Sequence, residues 1–586
     1  MAVSVGGQAE QGAANPPPAW TRPQARWTAP RAVDVALAER LTTELHLPPL
    51  VSRLLVARGM SAVDDARNYL RPRMDQLHPP QAMRGMAEAV ERLSVAIRSG
   101  ETILVHGDYD VDGMCSTTIL VRTLRHLGAT AVPFAPHRIN DGYDLGPAGV
   151  RAAVAAGATV LVTCDCGTTA HEPVADLRRR GIDVIITDHH LPSRPPPDCV
   201  AVLNPRVAGC DYPDKDLCAA AVSFKLSLAL LEQHGASPNV ALNMLDLVAL
   251  ATVADVAPLR GENRILVRYG LRLMSETKNI GLRALINASG LEGRELTAGR
   301  VGFILAPRLN AVGRIGDAKR GLDLLLSSDE GEANGIARDL EEINRTRQNI
   351  DRDTLDAARK LAAAQDLDSV AGLVLAAEGW HPGVIGIVAS RLVEDLYRPV
   401  LLIAVDGGIG KGSGRSIPAF DLHGGLTACA DILMRYGGHR AAAGLTVDAA
   451  RIPELAARFD SIARERLTRD DLTPELRVDL ELPLGEANDS LEKLLRHFEP
   501  FGLGNPAPLL ATKGCRLASA PRVVGQNGLK FALRDATTEL EGVWWGVSHR
   551  LSEWSATQVV DVAYRLERDL WRDTSRLVAR LADIRG

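Results

Sequence analysis

The sequence predicts an α/β protein: a doubly wound, mostly parallel sheet, a second and smaller α/β domain joined to it by a long helix, and a C-terminal β-barrel. Three observations predict this. Short runs rich in Val and Ile alternate with helical segments from Thr102 onward, one long charged stretch without proline follows, and after about Asp470 the texture turns to short strands and tight turns. The 586 residues exceed what one hydrophobic core holds, because domains run to roughly 100–200 residues.

The elements follow in order. Residues 1–33 are rich in Gly, Ala, Pro and Gln and include Pro16-Pro17-Pro18, a composition that buries little and predicts a disordered tail. Apolar residues at helical spacing over 49–70 and 86–97 predict helices. Strands are predicted at 102–105, 159–162, 184–186 and 200–203, with helices such as 117–127 and 173–180 between them. This βαβ rhythm gives a parallel sheet, and in such sheets ligands gather beyond the carboxyl ends of the strands. Residues 329–364 read as one highly charged helix of the kind that bridges domains, weakened at its start by Gly331 and Gly335. Strands at 372–375 and 400–404 flank a helix at 384–396. The turn Gly525-Gln526-Asn527-Gly528 and the runs 530–533 and 559–566 read as a small barrel of the OB-like kind that holds single strands of nucleic acid. The expected domains are therefore a tail (1–33), the parallel-sheet domain with N-terminal helices (34–328), a connecting helix (329–364), the smaller α/β domain (365–469) and the barrel (470–586).

Composition narrows the function. With 46% hydrophobic and 24% charged residues the chain is an ordinary globular one. A net charge of -5 and a pI near 6.3 argue globally against a nucleic-acid binder. Locally, residues 260–320 hold twelve Lys/Arg against five Asp/Glu, which is either a basic surface or a set of solvated helix faces. Aromatics are only 4%, so contact with nucleic acid cannot rest mainly on stacking. The eight cysteines show no C-x-x-C spacing for zinc. With no signal peptide visible, reduced thiols and a cytoplasmic location are expected. The most membrane-like stretch, 241–259, carries Asp246 and Asp255, so no membrane span is expected.

The strongest feature is His106-Gly107-Asp108-Tyr109-Asp110-Val111-Asp112-Gly113, three alternating aspartates just after a predicted strand. Neighbouring carboxylates repel one another, and a divalent cation turns that repulsion into binding. Alone, the run also fits a polar loop or a helix cap, and no Glu follows at calcium-loop spacing. Two more strand ends carry the same chemistry: Thr163-Cys164-Asp165-Cys166-Gly167 and Ile186-Thr187-Asp188-His189-His190. Asp255 lies in the apolar stretch Ala251-Thr252-Val253-Ala254-Asp255-Val256 and would be costly to bury unpaired. Three strand ends presenting carboxylate or imidazole on one sheet edge predict a metal site. Its carboxylate-rich donor set favours Mn²⁺ or Mg²⁺ over structural zinc.

These four motifs, in this order, resemble those of the DHH phosphoesterase superfamily, named for Asp188-His189-His190, and within it the single-strand-specific 5′→3′ exonucleases. Ala306-Pro307-Arg308-Leu309-Asn310-Ala311-Val312-Gly313-Arg314, Trp380-His381-Pro382-Gly383-Val384-Ile385-Gly386-Ile387-Val388 and Gly412-Ser413-Gly414-Arg415-Ser416 match segments of those exonucleases. Gly437-Gly438-His439 resembles the mark of the associated DHHA1 domain, and Pro500-Phe501-Gly502-Leu503-Gly504-Asn505-Pro506 the junction into their oligonucleotide-binding barrel. The similarity covers essentially everything after about residue 35. The barrel departs from the pattern at Gly528, where a His is expected, and in its Arg-rich end.

The resemblance implies roles. Asp110, Asp112, Asp165, His189 and Asp255 would ligate one or two cations, with Asp112 or Asp165 bridging them. Asp108 would join that shell or orient a ligand, Asp188 would steady the neighbouring histidines, and His190 would contact the scissile phosphate or a metal. Two cations roughly 4 Å apart neutralise the charge of a phosphodiester, lower the pKa of a water and stabilise the leaving oxygen. Arg308 and Arg314 suit phosphate, since a guanidinium forks onto two oxygens; a structural salt bridge is the alternative. Asn310 and His381 belong to the same phosphate-binding expectation. Gly437-Gly438-His439 would let backbone approach a phosphate while His439 donates, unless it is only a glycine turn. Ser413 and Arg415 suit a terminal phosphate, with a glycine turn and a paired Arg415 as the alternative, and Arg314 would reach the same phosphate across a cleft between the two α/β domains, narrow enough to exclude a duplex.

The expected activity is 5′→3′ hydrolysis of single-stranded DNA to 5′-mononucleotides in DNA repair and recombination. A monomer would act beside a helicase and a single-strand-binding protein. A phosphodiesterase for short oligonucleotides or cyclic dinucleotides competes with this reading but leaves about 115 residues beyond Asp470 unexplained. An inactive scaffold competes too, but every acidic motif is intact.

Overall fold

The computed structural model describes residues 23–138, 140–192, 194–569 and 575–586. Two compact units form: Arg67–Asn349 with Phe498–Ala507, and the described part of Met1–Ala66 with Ile350–His497 and Pro508–Gly586.

In the first unit, β1 (Thr102–His106), β2 (Thr130–Phe134), β3 (Val160–Cys164), β4 (Asp183–Thr187) and β5 (Ala201–Leu203) form an all-parallel sheet of order β2-β1-β3-β4-β5. The strands read as unbroken apolar runs because both faces are covered. Ile103, Val105, Val160, Val162 and Ile185 enter one core, and Leu104, Leu161, Val184 and Ile186 the other. Strand β2 was not among the expected strands. It is a partly exposed edge strand holding Pro133, which an edge tolerates, and its pattern is correspondingly weak. Three helices complete the frame of the site: α1 (Val111–His126), α2 (Ala219–Gln233) and α3 (Leu245–Ala254). A turn of π-helix, Val301–Leu305, leads into α4 (Ala306–Ile315).

The long helix α5 spans Glu330–Ala363, one residue short of the expected range at each end. In the second unit, β6 (Leu373–Glu378), α6 (Ile385–Leu396), β7 (Val400–Asp406), β8 (Ile409–Arg415), β9 (Leu433–Gly438) and β10 (Ala442–Asp448) build a sheet of order β9-β10-β8-β7-β6, parallel only between β6 and β7. The barrel strands are β11 (Leu480–Glu481), β12 (Leu510–Leu517), β13 (Arg522–Val524), β14 (Gly528–Arg534), β15 (Glu539–Trp544), β16 (Val559–Asp569) and β17 (Arg576–Arg585). Their order is β11-β12-β16-β17-β15-β14-β13, and a further pairing of β12 with β14 closes the sheet on itself. The expected turn at 525–528 joins β13 to β14.

Two boundaries fall elsewhere than expected. The first 22 residues of the expected tail lie outside the described residues, but Arg26–Thr28 forms a strand parallel to Glu475–Arg477. Trp27 Nε1 donates to Asp583 at 2.7 Å, and the Arg585 guanidinium lies over the Trp27 ring. Together with the Arg58–Asp479 ion pair at 3.2 Å, these contacts place residues up to 66 with the second unit rather than with the parallel sheet. Conversely, Phe498–Ala507 groups with the first unit, where Tyr69 Oη donates to Asn505 at 2.8 Å and Arg264 to the Phe498 carbonyl at 2.9 Å. Among the described residues no helix is long and apolar enough to cross a membrane.

Candidate metal centre and phosphate-binding residues

The acidic run crosses from the end of β1 into α1. Asp110 is the N-cap of α1, its carboxylate accepting from the Asp112 and Gly113 amides at 2.9 and 3.1 Å. Gly113 is required here, because a Cβ would stand 2.4 Å from the Asp108 nitrogen. Asp112 is 1% exposed, and its two oxygens accept from Ala219 N and Ala220 N, each at 2.8 Å, at the start of α2. Burial and the charge of Asp110 nonetheless push its pKa up to about 6. Asp165, beyond β3, is 2% exposed and sits at φ +69°, a backbone region that Asp adopts more readily than most residues. Asp188, beyond β4, accepts from the His189 and His190 amides and from Thr168 N at 2.7, 3.1 and 3.1 Å.

These loops converge. His189 Nε2 lies 3.2 Å from Asp165 Oδ1, 3.7 Å from Asp112 Oδ2 and 3.8 Å from Asp255 Oδ2. Asp255 is the C-cap of α3, which explains a charge at the end of an apolar helix. Three overlapping groups of ligand atoms result: Asp165, His189 and His190; Asp112, His189 and Asp255; and Asp108, Asp110 and Asp165, with the atoms of each within 4.8 Å of one another. Asp165 and His189 each serve two groups.

The electrostatics fit a cation. Asp108 Oδ1, Asp165 Oδ1 and His189 Nε2 are buried and without a hydrogen-bond partner, a costly condition that a metal relieves. Burial, then the neighbouring carboxylates, raise Asp108 and Asp165 well above the ordinary range and Asp255 to about 8. Burial, then the charge of His190, push His189 down to about 3, so its ring is neutral, as a ligand must be. Burial opposes protonation of His190, but its 2.8 Å contact with Asp188 outweighs it and pushes its pKa up to about 9. Against the effect of burial, that same contact holds Asp188 below the ordinary carboxylate range. His190 is thus a charged donor at the rim of the cluster.

Several residues here were not anticipated. Tyr143 Oη lies 3.2 Å from His190 Nε2. Asp144 accepts from Gly167 N at 2.7 Å and Thr169 Oγ1 at 3.1 Å, tying its loop to the one that carries Asp165. Asn204 donates to the His190 carbonyl at 2.9 Å. None sits in a periodic segment; the only signal was polar residues clustered in a Gly-containing loop and at a strand end.

The phosphate candidates fare differently. Arg308 is bound to Glu341 at 2.5 Å and to the Ile304 carbonyl, so the structural alternative describes its resting state. Asn310 Oδ1 accepts from Val111 N at 3.3 Å, against the acidic run. Arg314 lies close enough to Tyr109 to act on its charge. In the second unit, Arg415 donates to Ser413 Oγ at 3.1 Å and to the Gly414 carbonyl at 2.8 Å. The register sets Ser413, Gly444 and Gly437 in one row across β8, β10 and β9, and Gly414, Ala443 and Gly438 in the next. His439 follows and donates its amide to Ala442. Gly437-Gly438 is therefore a strand end rather than a turn. His381 Nδ1 accepts from Gly383 N at 3.0 Å, just before α6. At least six of the twelve basic residues of 260–320 have partners within the fold: Arg260 with Asp216, Arg264 with the Phe498 carbonyl, Arg283 with Glu330, Arg308 with Glu341, Lys319 with Asp323 and Arg320 with Asp339.

A parallel sheet whose C-terminal edge gathers carboxylates and a neutral histidine around unpartnered ligand atoms defines, first, a divalent-metal centre of the phosphoester-cleaving class. Comparison with known proteins sharpens this. Residues 102–252 match the DHH family, N-terminal domain, 369–465 the DHHA1 domain and 478–583 the RecJ OB domain. The chain is 36% identical over 567 residues to the single-stranded-DNA-specific exonuclease RecJ of Dickeya dadantii, with 92% of this chain and 97% of that one covered. It is 38% identical over 522 residues to the Bacillus subtilis RecJ, spanning 88% of this chain but 65% of that longer relative. The crystal structure of Thermus thermophilus RecJ with Mn²⁺ superposes with a TM-score of 0.83 at 33% identity, over 96% of this chain and 80% of that one. The Mg²⁺ complex of the same protein gives 0.76 at 32% identity, over 96% and 78%. The chain belongs to the RecJ family.

Proposed function

We propose that this chain is a single-stranded-DNA-specific exonuclease that releases 5′-mononucleotides in the 5′→3′ direction with Mn²⁺ or Mg²⁺. The observation that carries the reading is the convergence of three buried, unpartnered ligand atoms, Asp108 Oδ1, Asp165 Oδ1 and His189 Nε2, at one sheet edge. Relatives named as single-stranded-DNA-specific exonucleases, and the match to a RecJ OB domain, favour DNA over a small substrate.

Asp110, Asp112, Asp165, His189 and Asp255 would hold the ions, with Asp108 beside them. When bound, the ions neutralise phosphate charge and lower the pKa of a water. The chain's own residues do the rest. The α2 amides fix both oxygens of Asp112. Asp188 keeps a proton on His190, which donates to the scissile phosphate. On the smaller sheet, Ser413, Arg415 and the Gly437-Gly438-His439 strand end receive a 5′-terminal phosphate, and Asn310, Arg314 and His381 serve other phosphates of the strand. All eight cysteines are free thiols, which supports work in a reducing cytoplasm. There the protein acts as a monomer in DNA repair and recombination, on strands opened by a helicase and coated by a single-strand-binding protein.

The test of polarity uses one strand labelled at either end, with Mn²⁺. Early release of a 5′-labelled mononucleotide, while a 3′ label stays on long products, is expected. Digestion from a free 3′ end past a blocked 5′ end would refute it.

A further inference from the structure

Two residues beside the metal centre have no part in holding the ions: His106, which closes β1, and Cys166, next to Asp165 beyond β3. His106 is fully buried, and its Nε2 has no hydrogen-bond partner, a condition that costs stability. The fold nonetheless makes room for the ring. Gly149 is bare where a Cβ would stand 2.5 Å from His106 Cδ2 and 2.6 Å from Nε2, and the Phe134 ring centroid lies 5.1 Å from that of His106. An apolar side chain would fill the same space without stranding a nitrogen, so the imidazole is kept for its other nitrogen. His106 Nδ1 lies 3.6 Å from Cys166 Sγ, within reach of a hydrogen bond through sulfur.

That contact ties together two loops that carry ligands. His106 and Thr163 form the last pair of the β1–β3 ladder. Beyond it the chains part, one turning through Gly107 to Asp108, the other through Cys164 to Asp165. Each loop is fixed on its own side: Gly107 N donates to the Phe134 carbonyl at 2.8 Å, and Thr163 Oγ1 to the Cys166 carbonyl at 2.7 Å. The thiol–imidazole contact joins one loop to the other. Asp108 and Asp165, each with a buried and unpartnered Oδ1, belong with Asp110 to one group of ligand atoms. Mg²⁺ is small and demands near-ideal octahedral geometry, so it is more sensitive to the spacing of such carboxylates than the larger Mn²⁺.

We propose that His106 and Cys166 are a positioning pair that fixes the spacing of Asp108 and Asp165 and so sets how the centre ranks Mg²⁺ against Mn²⁺. This rests on the metal-centre reading above.

The experiment measures metal binding by the full chain after treatment with EDTA and its removal. Mn²⁺ is followed by loss of the free-ion electron paramagnetic resonance signal, and Mg²⁺ by competition against it. Cys166→Ala and His106→Leu are each expected to weaken Mg²⁺ binding about tenfold and Mn²⁺ binding less. The double variant is expected to lose no more than either single one, because both break the same contact. Cys166→Ser, which keeps a hydrogen-bonding atom, is expected to stay nearer the wild type. Thermal midpoints in EDTA identify the folded variants. Unchanged affinities in folded Cys166→Ala, equal losses for the two ions, or losses that add in the double variant would overturn the proposal and leave the pair a packing role. Should His106→Leu not fold, equal Mg²⁺ affinities in Cys166→Ala and Cys166→Ser would overturn it as well. A wild type that binds neither ion would instead strike the metal-centre reading itself.

Discussion

Stripping divalent metal from the protein makes its stability fall as pH rises from about 6.5 to 8. Asp255 carries a definite share of the effect. Burial and the charges of Asp112 and Asp110 raise its pKa from the ordinary 3.8 to about 8. A carboxyl whose folded pKa is raised contributes stability that is fully present below the unfolded pKa and is lost as pH rises through the folded one. Across most of that window Asp255 therefore holds a proton in the folded state that it has lost in the unfolded chain, worth about 1.4 kcal/mol per pH unit, or about 2 kcal/mol from this group alone. His190, raised to about 9, acts in the same direction. His189, lowered to about 3, opposes only below its ordinary value of 6.5, where the unfolded chain takes up a proton. For a unit of this size the share of Asp255 alone should lower the midpoint by about 4–8 °C between the two ends of the window. Calorimetry in EDTA measures this directly. With Mn²⁺ in excess the trend should vanish or reverse, because the ion binds only deprotonated ligands. A midpoint that is flat or rises with pH in EDTA, and is indifferent to Mn²⁺, would refute the reasoning.

Other outcomes follow from the same geometry. Asp165→Asn should abolish cleavage in Mn²⁺ yet raise the midpoint of the metal-free protein, since a neutral side chain relieves the repulsion around it; both are read on one purified variant. Asp110→Ala should also abolish cleavage but lower stability by about 1 kcal/mol, because it removes the N-cap of α1, a loss that urea unfolding would register. Arg415→Ala should erase any preference for a 5′-phosphate over a 5′-hydroxyl strand while mononucleotide release continues; an unchanged preference would remove this residue from end recognition. Lys225→Met should destabilise the first unit by about 3–5 kcal/mol, because Glu262, 2% exposed and 2.6 Å from Lys225, would keep a buried charge that His78 N and Tyr212 Oη, neither of them charged, still donate to.

Much of the centre was legible because its ligands are local features. The aspartates at 108, 110 and 112 alternate in one loop, Asp165 and His189 close short apolar runs, and Asp255 interrupts a helix that is otherwise apolar. The parallel sheet was legible for the same reason: strands covered on both faces read as continuous Val and Ile. What failed was anything decided by a distant partner. Arg308 looked available for phosphate, and only folding sets Glu341, 33 positions away, against it. At least half of the basic residues of 260–320 enter ion pairs and carbonyl contacts in the same way. Trp27 lies in a stretch too polar and Pro-rich to suggest order, yet Asp583, 556 positions along, gives it a partner. Asp144 and Tyr143 gave no periodic signal because a loop has none.

The central claim, that the cluster at the sheet edge is a divalent-metal exonuclease site, is tested most directly by following mononucleotide release from a 5′-labelled single strand by the wild type and by Asp165→Asn, each in Mn²⁺ and in EDTA. Release by the wild type in Mn²⁺ alone, and by the variant in neither condition, is the predicted result. Release that persists in EDTA, or near-wild-type release by Asp165→Asn in Mn²⁺, would contradict it.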